Sequence, residues 1–295
     1  MEVTMNNLDE IYVNVDDFMK NFIDEWNKML ISSGEKQRLR KPKLSPSEII
    51  TIVILFHQSN YRTFKHFYLN YVSQYLKEEF PGLVSYSRFV RLQQSILVPL
   101  CSYLQSRKGA STGISYIDST PITVCHNRRI NQHKVFKGIA ARGKSTMGWF
   151  YGFKLHIVSN EHGELLSFCV TPGNCDDRKP LGKLTKGLTG KLFGDRGYIS
   201  KKWFDKLMID SLQLITSVKS NMKNKLLPIM DKILLRKRFI IETINDQLKN
   251  ISQIEHSRHR SVANFMVNII AGLLAYTYQD KKPAINFNSN IHAII

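Results

Sequence analysis

The chain has 295 residues, enough for one or two domains with sizeable cores, and its 43% hydrophobic and 22% charged residues are ordinary for a globular protein, which excludes a disordered or low-complexity class. The net charge is +18 and unevenly spread: residues 1–110 carry 14 Lys+Arg against 11 Asp+Glu, whereas residues 111–295 carry 28 against 13. A field of that sign points to a polyanionic partner, nucleic acid ahead of anionic lipid, because no basic amphipathic anchor and no apolar run of ~20 residues is present. Cys101, Cys125, Cys169 and Cys175 form no C-x-x-C pair, so neither a disulfide framework nor a zinc site is expected. The opening MEVTMNNLDE lacks the basic start and apolar centre of a signal peptide, and the chain reads as cytoplasmic and reduced.

In chain order, apolar Ile11, Val15, Phe18, Phe22 and Trp26 predict an amphipathic helix over 8–31. A basic connector, 32–45, leads to Ser45-Pro46-Ser47-Glu48, a capping box that starts an apolar helix. Helices are expected over 63–76 and 85–105, broken at Phe80-Pro81-Gly82, with Arg62, Lys65, Arg88 and Arg91 on or beside them. From Ile114 the pattern turns to strands. Alternation predicts a hairpin from Trp149–Val158 and Leu165–Val170, a helix near 178–186, a strand 191–195, a helix 200–210 and a strand 212–218. A long helix 233–251 and an apolar one 262–278 close the chain. The order implies an α/β protein: a helical N-terminal region, then a mixed sheet flanked by helices.

Three acids stand out. Asp118 sits in the apolar, β-branched run Gly113–Thr120, where strands normally exclude Asp; a buried ion pair or turn cap is the structural use of such a residue, and cation binding the chemical one. Asp195 ends a second strand, in Gly194-Asp195-Arg196-Gly197, with glycines that leave room for a ligand or simply make the turn. Glu242 shares a helical face with Arg238 and Lys249, since four and seven residues advance 400° and 700°; a solvated face of ion pairs is the alternative. Three such carboxylates suit two Mg²⁺ ions, with Mn²⁺ as substitute, acting on a phosphodiester. Between Ser119 and Asn160 there is no Asp or Glu, while Arg128, Arg129, Lys134, Lys137, Arg142, Lys144 and Lys154 are present. With Gly138, Gly143 and Gly148 this reads as a mobile basic loop beside Asp118 for phosphate contacts. Asp246 and the Asp176-Asp177 pair are rival acids, and His156, His256 and His259 are read as structural.

The phrases KLSPSEI, HQSNYRTFKHFY, YIDST, HKVFKGIAARGK, GWFYGFKLH, TPGNCDDRKP, KLFGDRGYIS and LLRKRFIIETINDQLKNISQIEHSRHRS carry a likeness that covers almost the whole chain. It resembles the DDE-type transposases of bacterial insertion sequences, most closely the family numbered nine-eighty-two. The resemblance implies a ribonuclease-H-like catalytic core with a five-stranded mixed sheet, in which Asp118, Asp195 and Glu242 bind the metals. Related transposases carry Y-x2-R-x3-E-x6-K around the helix acid; Arg238, Glu242 and Lys249 fit, but the Tyr position is Leu235. The 47 residues from Asp195 to Glu242 leave little room for a large inserted domain.

The expected organisation is a helical DNA-binding region (1–110), a DDE catalytic domain (111–280) and a tail (281–295). The expected function is metal-dependent cleavage at insertion-sequence ends and transfer of the 3′-hydroxyl into target DNA. Arg238, Lys249, Arg196 and the bases of the acid-free stretch would contact double-stranded DNA, with a homodimer pairing two ends and no membrane partner. Two alternatives are a nuclease of the same fold that only hydrolyses, and a non-catalytic, transposase-derived DNA-binding protein.

Overall fold

The structure, a computed structural model, describes residues 8–34, 42–217, 227–255 and 259–285. They fall into two compact units, one within Met1–Arg107 and Gln247–Gln279, the other within Lys108–Asp246 and Asp280–Ile295.

The first unit begins with α1 (Leu8–Ser32), α2 (Pro46–Gln58), α3 (Phe64–Phe67), α4 (Ser73–Tyr75), α5 (Tyr86–Leu92) and α6 (Leu97–Ser106). A π turn, Tyr68–Val72, joins α3 to α4, and a 3-10 turn, Gln93–Ile96, joins α5 to α6. The capping box forms as expected: Ser45 Oγ accepts from Glu48 N–H at 3.1 Å, and Glu48 Oε2 accepts from Ser45 N–H at 2.6 Å. It orients a helix that is buried almost without interruption from Ile49 to His57.

The second unit is built on β1 (Ile114–Cys125), β2 (Ala141–Ser145), β3 (Gly148–Asn160), β4 (Leu165–Pro172), α7 (Leu181–Leu184), β5 (Gly190–Gly194), α8 (Lys201–Ile209), β6 (Leu212–Thr216) and α9 (Ile229–Arg236). One edge of β3 pairs antiparallel with β1. Its other edge is shared end to end by β2, along Gly148–Gly152, and β4, along Phe153–Ser159. Beyond β1, β5 and β6 continue the sheet in parallel. Six strands thus fill five positions, the mixed, helix-flanked α/β sheet expected. On one face Ile117, Leu192, Leu212 and Leu214 pack with Leu181, Leu184 and Leu207 of α7 and α8. On the other, Tyr116 stacks on Phe193 at 5.4 Å and Lys191 pairs with Asp231 of α9 at 2.6 Å. The chain continues as α10 (Phe239–Asn250) and re-enters the first unit, which α11 (Val262–Thr277) completes. That helix is buried on all sides from Val267 to Thr277, as a uniformly apolar helix must be.

Four expectations change. The single helix over 233–251 is two, α9 and α10, broken at Lys237–Arg238. In one straight helix the buried Asp231 and Ile240, nine residues apart, would point to opposite sides; the break lets both be buried. The basic stretch after Ser119 is not a bare loop. β1 runs on to Cys125, Asn127–Gln132 forms a 3-10 turn, and β2 pairs with β3. The helix near 178–186 shrinks to Leu181–Leu184, after Pro180. The last strand stops at Thr216; Val218 and His256 lie outside the described residues.

Candidate functional site

Two strands of the second unit set the first two acids. In the parallel β1–β5 pair, Ser115 is opposite Leu192 and Tyr116 opposite Phe193. Asp118 and Asp195 each lie two residues further on, so they occupy equivalent positions on one sheet face, on strands ~4.8 Å apart. Asp195 Oδ1 accepts the Gly197 N–H at 2.9 Å and caps a 3-10 turn, Arg196–Tyr198. The glycine before it leaves no room for a ligand: a Cβ on Gly194 would stand 3.1 Å from the Tyr198 ring.

α10 supplies the third acid. Its buried Ile240, Ile241, Ile244 and Leu248 hold it by one side, and Asn245 Nδ2 donates to Asp118 Oδ2 at 3.0 Å. Glu242, one turn earlier and half exposed, is ion-paired with Arg238. Burial pushes the Asp118 carboxyl up to about 6; the Arg238 charge lowers it, while Asp195 and Glu242 raise it further. The three acids and Arg238 therefore share one electrostatic environment. Among the described residues, no three His, Cys, Asp or Glu side chains are gathered closely enough to hold a metal ion as they stand.

Asn245 is the residue that sequence reasoning missed. It is 6% exposed, and its Oδ1 is buried with no hydrogen-bond partner. The only sequence signal was its place three residues after Glu242, on the same side of a helix.

Behind β1, on the opposite face, lies a second polar group. Asp177 Oδ1 accepts from Ser119 Oγ at 2.9 Å and from Lys154 Nζ at 2.9 Å; Lys154 Nζ also donates to Cys175 O at 3.0 Å. His156 is wholly buried, with Nε2 2.8 Å from Thr171 Oγ1 and Nδ1 3.9 Å from Asp177. Burial, helped by Lys154, lowers its pKa to about 4, so the ring is neutral. This group ties down the strand position next to Asp118. Asp176 pairs with Arg178, whose hydrogen bonds lower its carboxyl to about 2.

The remaining bases divide by environment. Arg128, Arg129, Lys134, Lys137, Arg142, Lys144 and Arg196 are exposed. Lys154 is partly buried in the Asp177 group, with 16% of its side chain exposed. Lys249, seven residues after Glu242, pairs with Glu255 at 3.2 Å. Asp246 is exposed on α10.

A mixed sheet with one acid inside β1, another just past the end of its parallel neighbour β5, and a third on a helix held to the first, is the arrangement expected of a metal-dependent phosphoryl-transfer domain. Residues 108–262 match the transposase DDE domain, and the chain belongs to that family. A search of the curated proteins finds no match. Membership makes this a DNA-processing, DNA-binding transposase of the DDE type, and DDE transposases generally use divalent metal ions. Among the described residues no helix is long and apolar enough to cross a membrane.

The donor set fits such ions. The acids that bear on one another here, Asp118, Asp195 and Glu242, offer hard carboxylate oxygens. Three neighbouring carboxylates oppose one guanidinium, an excess of negative charge that a cation would relieve.

Proposed function

We propose that the protein is an insertion-sequence transposase, of the kind numbered nine-eighty-two, that cuts DNA at the element ends and joins the freed 3′-hydroxyl to target DNA. The observation that carries this reading is the equivalent placing of Asp118 and Asp195 on adjacent parallel strands, with Asn245 fastening the helix of Glu242 over them. Asp118, Asp195 and Glu242 would hold two Mg²⁺ ions. When bound, such ions supply Lewis-acid activation of the attacking oxygen and stabilise charge on the phosphate.

The protein's own groups do the rest. Asn245 keeps one oxygen of Asp118 turned toward α10. Glu242 would be free to hold an ion once parted from Arg238, whose guanidinium could then serve a phosphate as a planar donor. Water is the nucleophile in the first displacement: it adds to phosphorus and the 3′-oxygen leaves. That 3′-oxygen attacks a target phosphodiester in the second, displacing the target strand's own 3′-oxygen. Arg128, Arg129, Lys134, Lys137, Arg142, Lys144 and Arg196 would grip the backbone of double-stranded DNA, and Lys249, paired with Glu255, is assigned a DNA contact of its own. We assign DNA-end recognition to the helical region 1–110, catalysis to 111–280, a tail role to 281–295, and pairing of two ends to a dimer.

The test is cleavage of an end-bearing duplex with Mg²⁺. Alanine at Asp118, Asp195 or Glu242 should abolish nicking while leaving duplex binding largely unchanged. Normal nicking by Glu242→Ala would move the third acid to Asp246, and nicking by Asp118→Ala would end the two-strand reading.

A further inference from the structure

The β2–β3 hairpin presents an apolar tip to solvent. Met147, at its turn, is 95% exposed, and Trp149, the second residue of β3, is 59% exposed. Most large apolar side chains are covered, and an indole left this open is a candidate contact. The surroundings indicate what it contacts. Lys144 is opposite Trp149 across the ladder, with Nζ 5.9 Å from the ring centroid, and Arg142 is opposite Tyr151 on the same face. Asn127 Nδ2 donates to Trp149 O at 2.7 Å, which pins the turn bearing Arg128 and Arg129 beside the hairpin. The hairpin is firmly held: a Cβ on Gly143 would lie 2.2 Å from Gly173 O, and Gly148 takes φ +108° to make the turn.

We propose that this tip is a nucleic-acid wedge, in which Trp149 stacks on an unstacked base and Met147 enters the opened step while the surrounding bases hold the flanking phosphates. Charge complementarity selects this occupant over a second copy of the chain or a lipid surface, because residues 119–160 contain no acid and six exposed Lys and Arg, Lys154 being paired with Asp177. Stacking on an aromatic ring needs no particular base, and an apolar wedge between base steps kinks a duplex. Trp149 lies eight residues along β3 from Ile157, the partner of Asp118, about 25 Å at ~3.3 Å per residue. The wedge therefore acts on DNA flanking the reacting phosphate.

This inference rests on the transposase reading, and the test separates the two. In EDTA, the full chain is titrated with a matched duplex, the same duplex carrying a short mismatch bubble, and a single strand. The bubble should bind roughly tenfold tighter than the matched duplex. Trp149→Ala and Met147→Ala should erase that preference while keeping matched-duplex affinity and melting temperature, and Trp149→Phe should keep most of it. Equal affinity of the unaltered chain for bubble and duplex would overturn the wedge alone, as would a Trp149→Ala protein that retains the preference. No binding to any probe would overturn the wedge and the transposase reading together.

Discussion

Asp118 is held where ionisation is unfavourable. Burial raises its carboxyl from the ordinary 3.8 to about 6. The folded state therefore binds this proton more tightly than the unfolded chain does. The stability from this group is present below pH 3.8 and lost as pH rises through about 6. A shift of ~2 units corresponds to at most about 3 kcal/mol. Asp118→Asn is thus expected to stabilise the metal-free protein at pH 7, by up to that amount, and to make little difference at pH 3. Urea denaturation in EDTA at both pH values is the measurement; an Asn variant less stable at pH 7 contradicts it. At Asn245, loss of the amide leaves Asp118 Oδ2 without this donor. Asn245→Ala should weaken Mg²⁺ binding roughly tenfold, as loss of a group that orients a ligand generally does. Calorimetric titration tests this, and unchanged affinity would reduce Asn245 to a packing residue.

Elements depend on a few local devices. Without the Ser45 hydroxyl, α2 loses its cap, and Ser45→Ala should cost about 1 kcal/mol in thermal unfolding. A Cβ on Gly152 would stand 2.0 Å from Ile122 O, in the longest strand pair of the second unit. Gly152→Ala should therefore lower the melting temperature more than Gly148→Ala, whose Cβ meets nothing within 4 Å but whose φ of +108° is strained for any side chain. Both are read from melting curves, and the reverse order would show that β1 and β3 can part at little cost. The break at Lys237–Arg238 also bears on the proposed site. Arg238 stands in the turn before α10 and still reaches Glu242 four residues on, so it can leave without unwinding the helix.

At the scale of the molecule, three of the described histidines are held neutral: His57 in the first unit and His156 in the second are buried, and His259 in the first is partly buried, each lowered to about 4 chiefly by burial. His57 Nδ1 is 2.5 Å from Ser252 O, so a buried backbone carbonyl depends on it. Their sign is opposite to that of Asp118. The unfolded chain takes up protons below 6.5 while the folded one resists them to about 4, so stability is present above 6.5 and lost as pH falls toward 4. The first unit should lose stability over that window, while in the second Asp118, which gains as pH falls through about 6, offsets His156; His57→Gln should blunt the loss in the first unit. Melting temperatures from pH 7 to pH 4 check this; a first unit with a flat profile would place its rings in contact with solvent.

Helix starts with caps, the alternating hairpin and the uniformly apolar α11 were determined by the sequence alone, because capping, two-residue alternation and all-round hydrophobicity are local properties of consecutive residues. So were the candidate acids, each lying in or next to an apolar run. β2 was hidden, since Arg142, Gly143 and Lys144 have no alternation and the strand exists only through its pairing with β3. The α9–α10 break was hidden too, because it answers to what Asp231 and Ile240 are buried against. Tertiary structure alone decided the register that aligns Asp118 with Asp195, the approach of Asn245 across 127 residues of chain, and the burial of Lys154. Those depend on contacts between distant segments, whose geometry is set by packing and by the pairing of backbone groups rather than by any local run of residues.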